Sequence, residues 1–240
     1  VKGTNVVERQ IVDIVTPGTL TDEKYLDPEV SNYVLMVVRQ RKILGLSWLD
    51  LSTGRFFVME IPALVSSLHA EIQRIGPTEI LVSDKITLAM GKDGPGKRGE
   101  IKNDAELGHS IDAARDGVML TPVPDWTADG KSAVKELCEH FEVKSLQGFG
   151  LDSNGPSAVA AGALLRYASD MKAGQVGAIR PPLCHRVDKF VRLDGATIRC
   201  LELVSGMRSQ DRSATLISVL NRTVTHMGAR LLHDWILSPL

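Results

Sequence analysis

Two stretches of this sequence contain residue types that bind phosphate or act as nucleophiles. Segment 91–99 combines glycines with lysines, but arginine follows its second lysine where a P-loop requires serine or threonine. Around residues 148–155 glycines flank a serine, but their order differs from the Gly-x-Ser-x-Gly elbow of a hydrolase. We therefore interpret 91–99 as a mobile, solvated loop, and we predict no catalytic or cofactor-binding residue.

Metal binding is the second chemistry to consider. The six histidines never stand in a His-Glu-x-x-His spacing, and the three cysteines are odd in number and far apart. We expect the histidines at the surface or at helix ends, and the cysteines as reduced, buried thiols of a cytoplasmic protein. The residues are His69, His109, His140, His185, His226, His233, Cys138, Cys184 and Cys200. The spacing predicts no metal site.

The composition of the 240 residues is that of a soluble globular protein, with 43% hydrophobic and 24% charged residues. Because the net charge is −1, the chain has no general attraction to phosphate, and any nucleic-acid contact must be local or lie outside it. No apolar run approaches the roughly 18 to 20 residues of a membrane span. The absence of an initiator methionine suggests a fragment of a longer protein.

Three short apolar runs predict consecutive antiparallel strands at the centre of a sheet. The runs are 33–38, 43–51 and 55–60. A polar turn at 39–42 and a Ser-Thr-Gly turn at 52–54 separate them, as hairpins require. The middle run is apolar at nearly every position, which is typical of a strand covered on both faces. Helices from the rest of the chain must therefore pack on both sides of the sheet.

The remaining patterns predict an α/β domain over residues 1–178 and the opening helices of an all-α domain over residues 179–240. The boundary rests on the prolines of segment 177–182, because tandem prolines stop a helix and stiffen a connection. The predicted elements are strands 8–15, 78–83 and 145–151, a helix that begins at Pro62, helices 132–141 and 157–172, an irregular region 90–126, and helices 197–204, 213–220 and 225–237.

Several stretches share their order and spacing with one family across nearly the whole chain. They are 14–23, 49–56, 148–150, 160–167, 193–203 and 216–240. Together they resemble the MutS family of DNA mismatch-repair ATPases. The resemblance implies an RNase H-like connector domain, with a mixed sheet and helices, and an incomplete helical core domain. The sequence departs from the family at Asn221, where aspartate is usual, and at His233 and Asp234, where basic residues are usual.

The resemblance also implies a non-catalytic role. The chain would link mismatch recognition on DNA to the ATPase and present a surface to the partner protein MutL. ATP and Mg²⁺ are expected only in an ATPase domain that these residues do not contain, and the full-length parent is expected to be a homodimer that binds mismatched duplex. Lys135 and Glu136, on the outward side of the predicted helix 132–141, stand where the family meets MutL.

The alternative function is an RNase H-like, metal-dependent nuclease. Such enzymes hold two metal ions about 4 Å apart between several carboxylates. Asp50, late in the central strand, and Asp152, after another predicted strand, are candidates, but no third carboxylate has a compelling position. Asp50 is equally suited to accept hydrogen bonds from Ser52 and Thr53 in the turn, and we favour that role.

The carboxy-terminal helices carry more apolar surface than two terminal helices can bury alone. We therefore expect self-association through residues 214–237, with Trp235 as an anchor, because aromatic residues dominate such contacts. The apolar residues concerned are Leu216, Val219, Leu220, Met227, Leu231, Leu232, Trp235 and Ile236.

Overall fold

A six-stranded mixed sheet with helices forms the centre of the protein, and three helices follow it. The computed structural model describes residues 13–22, 24–90, 100–125, 129–174, 176, 178–186, 189–206 and 214–240. The strands are β1 (Val34–Gln40), β2 (Ile43–Asp50), β3 (Arg55–Pro62), β4 (Glu79–Ser83), β5 (Met119–Val123) and β6 (Leu183–Cys184). The helices are α1 (Val65–Ile75), α2 (Asp84–Met90), α3 (Asp104–Ala114), α4 (Gly130–His140), α5 (Pro156–Met171), α6 (Gly195–Cys200), α7 (Leu216–Leu220) and α8 (His226–Leu237). The predicted α/β class is confirmed.

The predicted meander is present as β1, β2 and β3. Each strand pairs antiparallel with the next, and the register places Asp50 opposite Arg55 at the β2–β3 turn. Gly54 closes that turn with a φ of 68°, a conformation that glycine adopts without strain. Three more strands pair in parallel with existing ones, so that the order across the sheet is β5-β4-β1-β2-β3-β6. Both strands joined by the β2–β3 turn are therefore interior strands of the sheet.

Helices cover both faces of the sheet, as the apolar middle strand predicts. Leu44, Leu46 and Trp48 pack on one face with α1 and α3. The opposite face, which includes Leu49, packs against α4 and α5. Gly45 allows the first turn of α5 to approach β2, because a Cβ added there would lie 2.1 Å from the carbonyl carbon of Pro156.

A buried carboxylate fixes the segment that precedes the meander. Glu79 on β4 accepts hydrogen bonds from the hydroxyls of Thr121 at 2.6 Å and Tyr167 at 2.8 Å, and from the Gly18 N–H at 3.2 Å. The Thr16 hydroxyl donates to the same carboxylate. Burial and the Glu79 contact raise the pKa of Tyr167, which remains a donor. One side chain thus connects β4, β5, α5 and the entry segment.

Two predictions around the sheet are wrong. Pro62 ends β3 instead of beginning a helix, since α1 starts at Val65. Region 90–126 is not irregular throughout, because it contains α3 and β5. The α3 helix begins where the Asn103 side chain accepts from the Glu106 N–H, a capping signal that the prediction overlooked. Pro122 is tolerated because β5 lies at the sheet edge. Segment 91–99 lies outside the described residues.

Two further predicted strands are absent from the described part of the chain. Residues 146–149 form a 3₁₀ turn, because Ser145 caps it and Gly150 ends it with a φ of 73°. Residues 13–15 are not a strand, although the Ile14 N–H donates to the carbonyl of Met171 at 2.8 Å. The earlier part of predicted strand 8–15 lies outside the described residues. Predicted helices 132–141 and 157–172 are confirmed as α4 and α5, within one or two residues.

The carboxy-terminal residues are helical, as predicted. Thr225 is the N-cap of α8, where its hydroxyl accepts from the Gly228 N–H at 3.2 Å. The outer side of α8 is open, with Met227 77% and Trp235 63% exposed. Leu237 is buried in a small cluster with Ile198 of α6 and Leu203. The boundary at residues 178 and 179 stays a prediction. No helix in the described ranges is long and apolar enough to cross a membrane.

Candidate functional site

The predicted partner residues, Lys135 and Glu136, both lie on α4 but face different surroundings. The Lys135 side chain is 74% exposed, and its Nζ lies 3.6 Å from a carboxylate oxygen of Glu139 one turn along the helix. Glu136 is less exposed, at 31%, and a carboxylate oxygen lies 3.5 Å from Nη1 of Arg166 on α5. Successive helix positions differ by about 100° in direction. Lys135 is therefore open to a partner, whereas Glu136 is turned towards α5.

Lys135 lines a surface groove with a volume of about 770 Å³, which we call the α4 groove. The groove is bounded by the end of β1, the start of α4 and the loop that leads into α5. Its lining residues are Val38, Arg39, Gln40, Asp129, Gly130, Lys131, Val134, Lys135, Ser153, Asn154, Pro156 and Val159. Glu136 is not one of them, so the structure separates the two predicted partner residues.

Small residues and a cap place α4 beside this groove. A Cβ added to Gly162 of α5 would lie 2.5 Å from the Cα of Ala133, so the two helices pack in close contact. Asp129 is the N-cap of α4, and its carboxylate accepts from the N–H and the hydroxyl of Ser132. These hydrogen bonds lower the pKa of Asp129. Leu137 is fully buried beneath the helix. The face of α4 that carries Lys135 is consequently held outward by packing of the opposite face.

A second charged region joins the β2–β3 turn to α8. The Arg55 guanidinium lies 2.6 Å from a carboxylate oxygen of Asp234, and Nη1 of Arg230 lies 3.9 Å from Oδ2 of Asp50. Asp50 and Arg55 face one another across the two strands, while Arg230 and Asp234 are four residues apart on α8. We call these four residues the α8 joint. Its two ion pairs run in opposite senses.

Asp50 has the turn role that we predicted. It is fully buried, and its Oδ1 accepts from the N–H of Ser52 at 2.9 Å and from the Ser52 hydroxyl at 2.6 Å. The expected bond from the Thr53 hydroxyl is absent, because that oxygen has no partner among the described residues. Oδ2 of Asp50 also lacks a hydrogen bond in the described part of the chain. Arg230 is thus the cation that balances a buried carboxylate.

The second nuclease candidate, Asp152, also forms a turn, in which its carboxylate accepts from the Asn154 N–H at 2.9 Å. Within the described residues, no three histidine, cysteine or carboxylate side chains are grouped to hold a metal ion. The cysteines are free, as predicted. They are less buried than expected, because Cys184 and Cys200 are exposed.

An aromatic cavity of about 350 Å³ lies beside the α8 joint. The rings of Trp48 and Phe57 stack at 5.4 Å, and the Arg55 guanidinium lies 5.2 Å from the Phe57 ring. His185 stacks on Phe190 at 5.0 Å, so the expectation of a surface or helix-end histidine is wrong at this position. Strand alternation would place Trp48 inward, but nothing in the sequence indicated that His185 meets it.

Burial sets the protonation of two groups that line this cavity. Desolvation, together with the positive charge of Arg74, lowers the pKa of His185 to about 4. Desolvation, together with the negative charge of Asp234, raises the pKa of Tyr33 to about 12. His185 and Tyr33 are therefore both neutral near pH 7. The fixed charges that line the cavity include those of Arg55, Arg74 and Asp234, and each of these three is in an ion pair.

Comparison with known families decides the relationship. Residues 32–180 match the family model for MutS domain II, and residues 196–240 match the model for MutS domain III. The chain belongs to the MutS family. It is 34% identical over 235 residues to the DNA mismatch repair protein MutS of Desulfosudis oleivorans, covering 98% of this chain and 25% of that protein. It is 32% identical over 239 residues to the protein of the same name from Protochlamydia amoebophila, covering 100% of this chain and 26% of that protein.

The two charged regions differ in their position relative to the matched MutS domains: one lies within a single domain, and the other connects two. The chain spans about a quarter of the length of these curated relatives. The α4 groove lies wholly within the match to MutS domain II. The α8 joint connects Asp50 and Arg55 of domain II to Arg230 and Asp234 of domain III. At Asp234, where the resemblance implied a basic residue, the carboxylate pairs with Arg55.

Proposed function

We propose that the chain is a non-catalytic connector and core segment of a MutS-like mismatch-repair ATPase. In this role it joins mismatch recognition on DNA to the ATPase and presents a surface to a MutL-like protein. The observation that supports the linking role is the α8 joint, since its ion pairs connect a hairpin of domain II to a helix of domain III. Displacement of α8 would displace the hairpin with it.

The rest of the proposal concerns the parent protein. ATP and Mg²⁺ are bound by a domain outside these 240 residues, the parent is a homodimer, and it holds mismatched duplex DNA. Curated relatives that cover the chain carry the name DNA mismatch repair protein MutS. The isolated chain is expected to show no ATP turnover above a mock preparation, and equal affinity for mismatched and paired duplex. ATP turnover by the pure chain would contradict the assignment.

The nuclease alternative has no supporting observation in the described residues. The two candidate carboxylates, Asp50 and Asp152, are each used by the turn that follows them. A divalent-metal nuclease assay on the pure chain tests this alternative directly, and we expect no cleavage of single-stranded or hybrid substrates.

The partner surface is tested with the full-length parent and its MutL-like protein. Reversing both charges, Lys135→Glu with Glu136→Lys, should weaken their association. Lys135→Glu alone should not shift the melting temperature, because that side chain is 74% exposed. Glu136→Lys is measured separately, because it also replaces the attraction to Arg166 by a repulsion. Binding is measured by pull-down and confirmed by titration. Unchanged binding would remove α4 from the partner surface.

A further inference from the structure

The α4 groove lies at a position where open α/β sheets commonly bind ligands. Its wall includes Val38, Arg39 and Gln40 at the carboxyl end of β1. β1 pairs in parallel with β4 on one side and antiparallel with β2 on the other, so the carboxyl ends of β1 and β4 lie at the same edge of the sheet. In α/β folds, ligands commonly bind outside the carboxyl ends of the parallel strands.

The charge of the groove is predominantly positive. Arg39, Lys131 and Lys135 line it, and the single carboxylate in its lining, Asp129, is used as the cap of α4. Arg39 is held by Asp104 through Nη2 at 2.9 Å. Its Nε is buried and has no acceptor among the described residues. The groove therefore offers the two exposed ammonium groups of Lys131 and Lys135, whereas the Arg39 guanidinium is already paired with Asp104.

The floor of the groove is apolar. Pro156 and Val159 are buried and Val134 is half-buried, and all three line the groove together with Val38. A nucleic-acid backbone makes little use of such a floor, and a duplex carries about one charge per 1.7 Å, which needs a longer basic track than three cations provide. An apolar side chain flanked by carboxylates matches both the floor and the charges.

We propose that the α4 groove binds a short acidic segment of a protein partner. One aliphatic or aromatic side chain of that segment rests on the valine and proline floor, and its carboxylates meet the exposed ammonium groups of Lys131 and Lys135. The proposal rests on the partner role of α4 proposed above, and it adds the chemistry that the partner must supply. It also reassigns the predicted site: Lys135 belongs to it, whereas Glu136 does not.

The test is a fluorescence anisotropy titration of the whole chain with a labelled peptide in which phenylalanine is flanked by two acidic residues on each side. We expect saturable binding that weakens as salt is raised, because the contacts are charged and exposed. Lys131→Glu combined with Lys135→Glu should weaken it by about tenfold or more, equivalent to about 1.4 kcal/mol. Val134→Ser, or replacement of the peptide phenylalanine by serine, should weaken it severalfold.

Lys144→Glu is the matched control, since this exposed lysine lies beyond the opposite end of α4 and outside the groove lining. Equal loss with Lys144→Glu, or absence of peptide binding, would overturn the proposal. So would displacement of the peptide by paired duplex DNA at concentrations below that of competing unlabelled peptide, because the groove would then prefer phosphate. The melting temperature of every variant is measured to exclude unfolding.

The acidic-segment site in the groove and the role of α4 in binding the MutL-like protein can be contradicted independently. If peptide binding follows the groove variants but association with the MutL-like protein does not, the acidic-segment site stands and the proposed partner surface is wrong. If association depends on Lys135 while the acidic peptide does not bind, the partner role stands and the groove proposal is wrong.

Discussion

The α8 joint and the α4 groove are both charged, but the lysines of the groove are much more exposed to water than the charged side chains of the joint. In the joint, Arg55 and Asp234 are 24% and 31% exposed and lie 2.6 Å apart, and Asp50 is fully buried. In the groove, Lys135 is 74% exposed and lies 3.6 Å from its helical neighbour Glu139. Exposed ion pairs contribute about 0 to 1 kcal/mol, because water and salt compete with them. Charges in the joint therefore hold the structure, while the lysines of the groove remain available to another molecule.

The largest effect on stability is expected when the buried carboxylate of the joint is removed. Asp50→Ala leaves the Ser52 donors and Arg230 without their acceptor, and should lower the free energy of unfolding by roughly 2 to 3 kcal/mol. Urea unfolding measures the change. Asp152→Ala is the control, since it removes an exposed turn carboxylate and should cost about 0.5 kcal/mol or less. If Asp50→Ala and Asp152→Ala lowered the free energy of unfolding equally, the buried carboxylate of the joint would have no special role in stability.

Acid should weaken the structure beside the joint through His185. Its pKa is lowered from 6.5 to about 4, so between those values the unfolded chain binds a proton that the folded chain does not. Its contribution is complete above about pH 6.5 and falls as the pH approaches 4. Allowing for solvent screening, the wild type should lose roughly 1 to 2 kcal/mol more than His185→Phe between about pH 7.5 and about pH 4.5. The free energy of unfolding of both proteins is measured across this pH range. If it falls equally in the wild type and in His185→Phe, the lowered pKa of His185 is contradicted.

The Arg55 and Asp234 pair should show a coupling energy of about 1 kcal/mol in a double-mutant cycle, because it is short but only partly buried. Arg55→Ala, Asp234→Ala and the double variant are compared by urea unfolding. A coupling near zero would mean that α8 is positioned by its apolar contacts alone. The exchanged pair, Arg55→Asp with Asp234→Arg, should recover part of the loss.

The smallest effect on stability belongs to the groove. Lys135→Glu should change the free energy of unfolding by about 0.5 kcal/mol or less, because the side chain is exposed and its ion pair is loose. The same substitution should still weaken acidic-peptide binding. A large loss of stability would show that Lys135 supports the fold of α4, and the contrast between the two regions would narrow.

Strong local patterns were predictable from the sequence. The meander was recognisable because its three apolar runs are separated by turn residues, and α8 because Thr225 supplies a cap before a regular apolar stripe. These elements carry their signals within a few residues. The prediction that Asp50 serves the turn succeeded for the same reason, since Ser52 is two positions away.

Elements that depend on distant contacts were missed. The β5 strand is defined by pairing with β4, and its Pro122 gave a misleading local signal. Residues 145–151 resemble a strand in composition, but Gly150 turns the chain back after a 3₁₀ turn. The α8 joint required knowledge that positions 55 and 234 meet, which no local pattern contains. Likewise, the divergence of Lys135 from Glu136 depends on where α5 lies beside α4.

The order of charges in the α8 joint distinguishes one direction of the α8 helix from the other. On the hairpin, Asp50 faces the cation Arg230, and Arg55 faces the anion Asp234, which lies four residues after Arg230 on α8. A helix docked with its ends exchanged would bring Arg230 to Arg55 and Asp234 to Asp50, so that both attractions became repulsions. A slide of α8 by one turn would break both ion pairs and would bring two like charges together, either Asp234 to Asp50 or Arg230 to Arg55. The order of charges therefore favours one direction and one register of α8 against the hairpin.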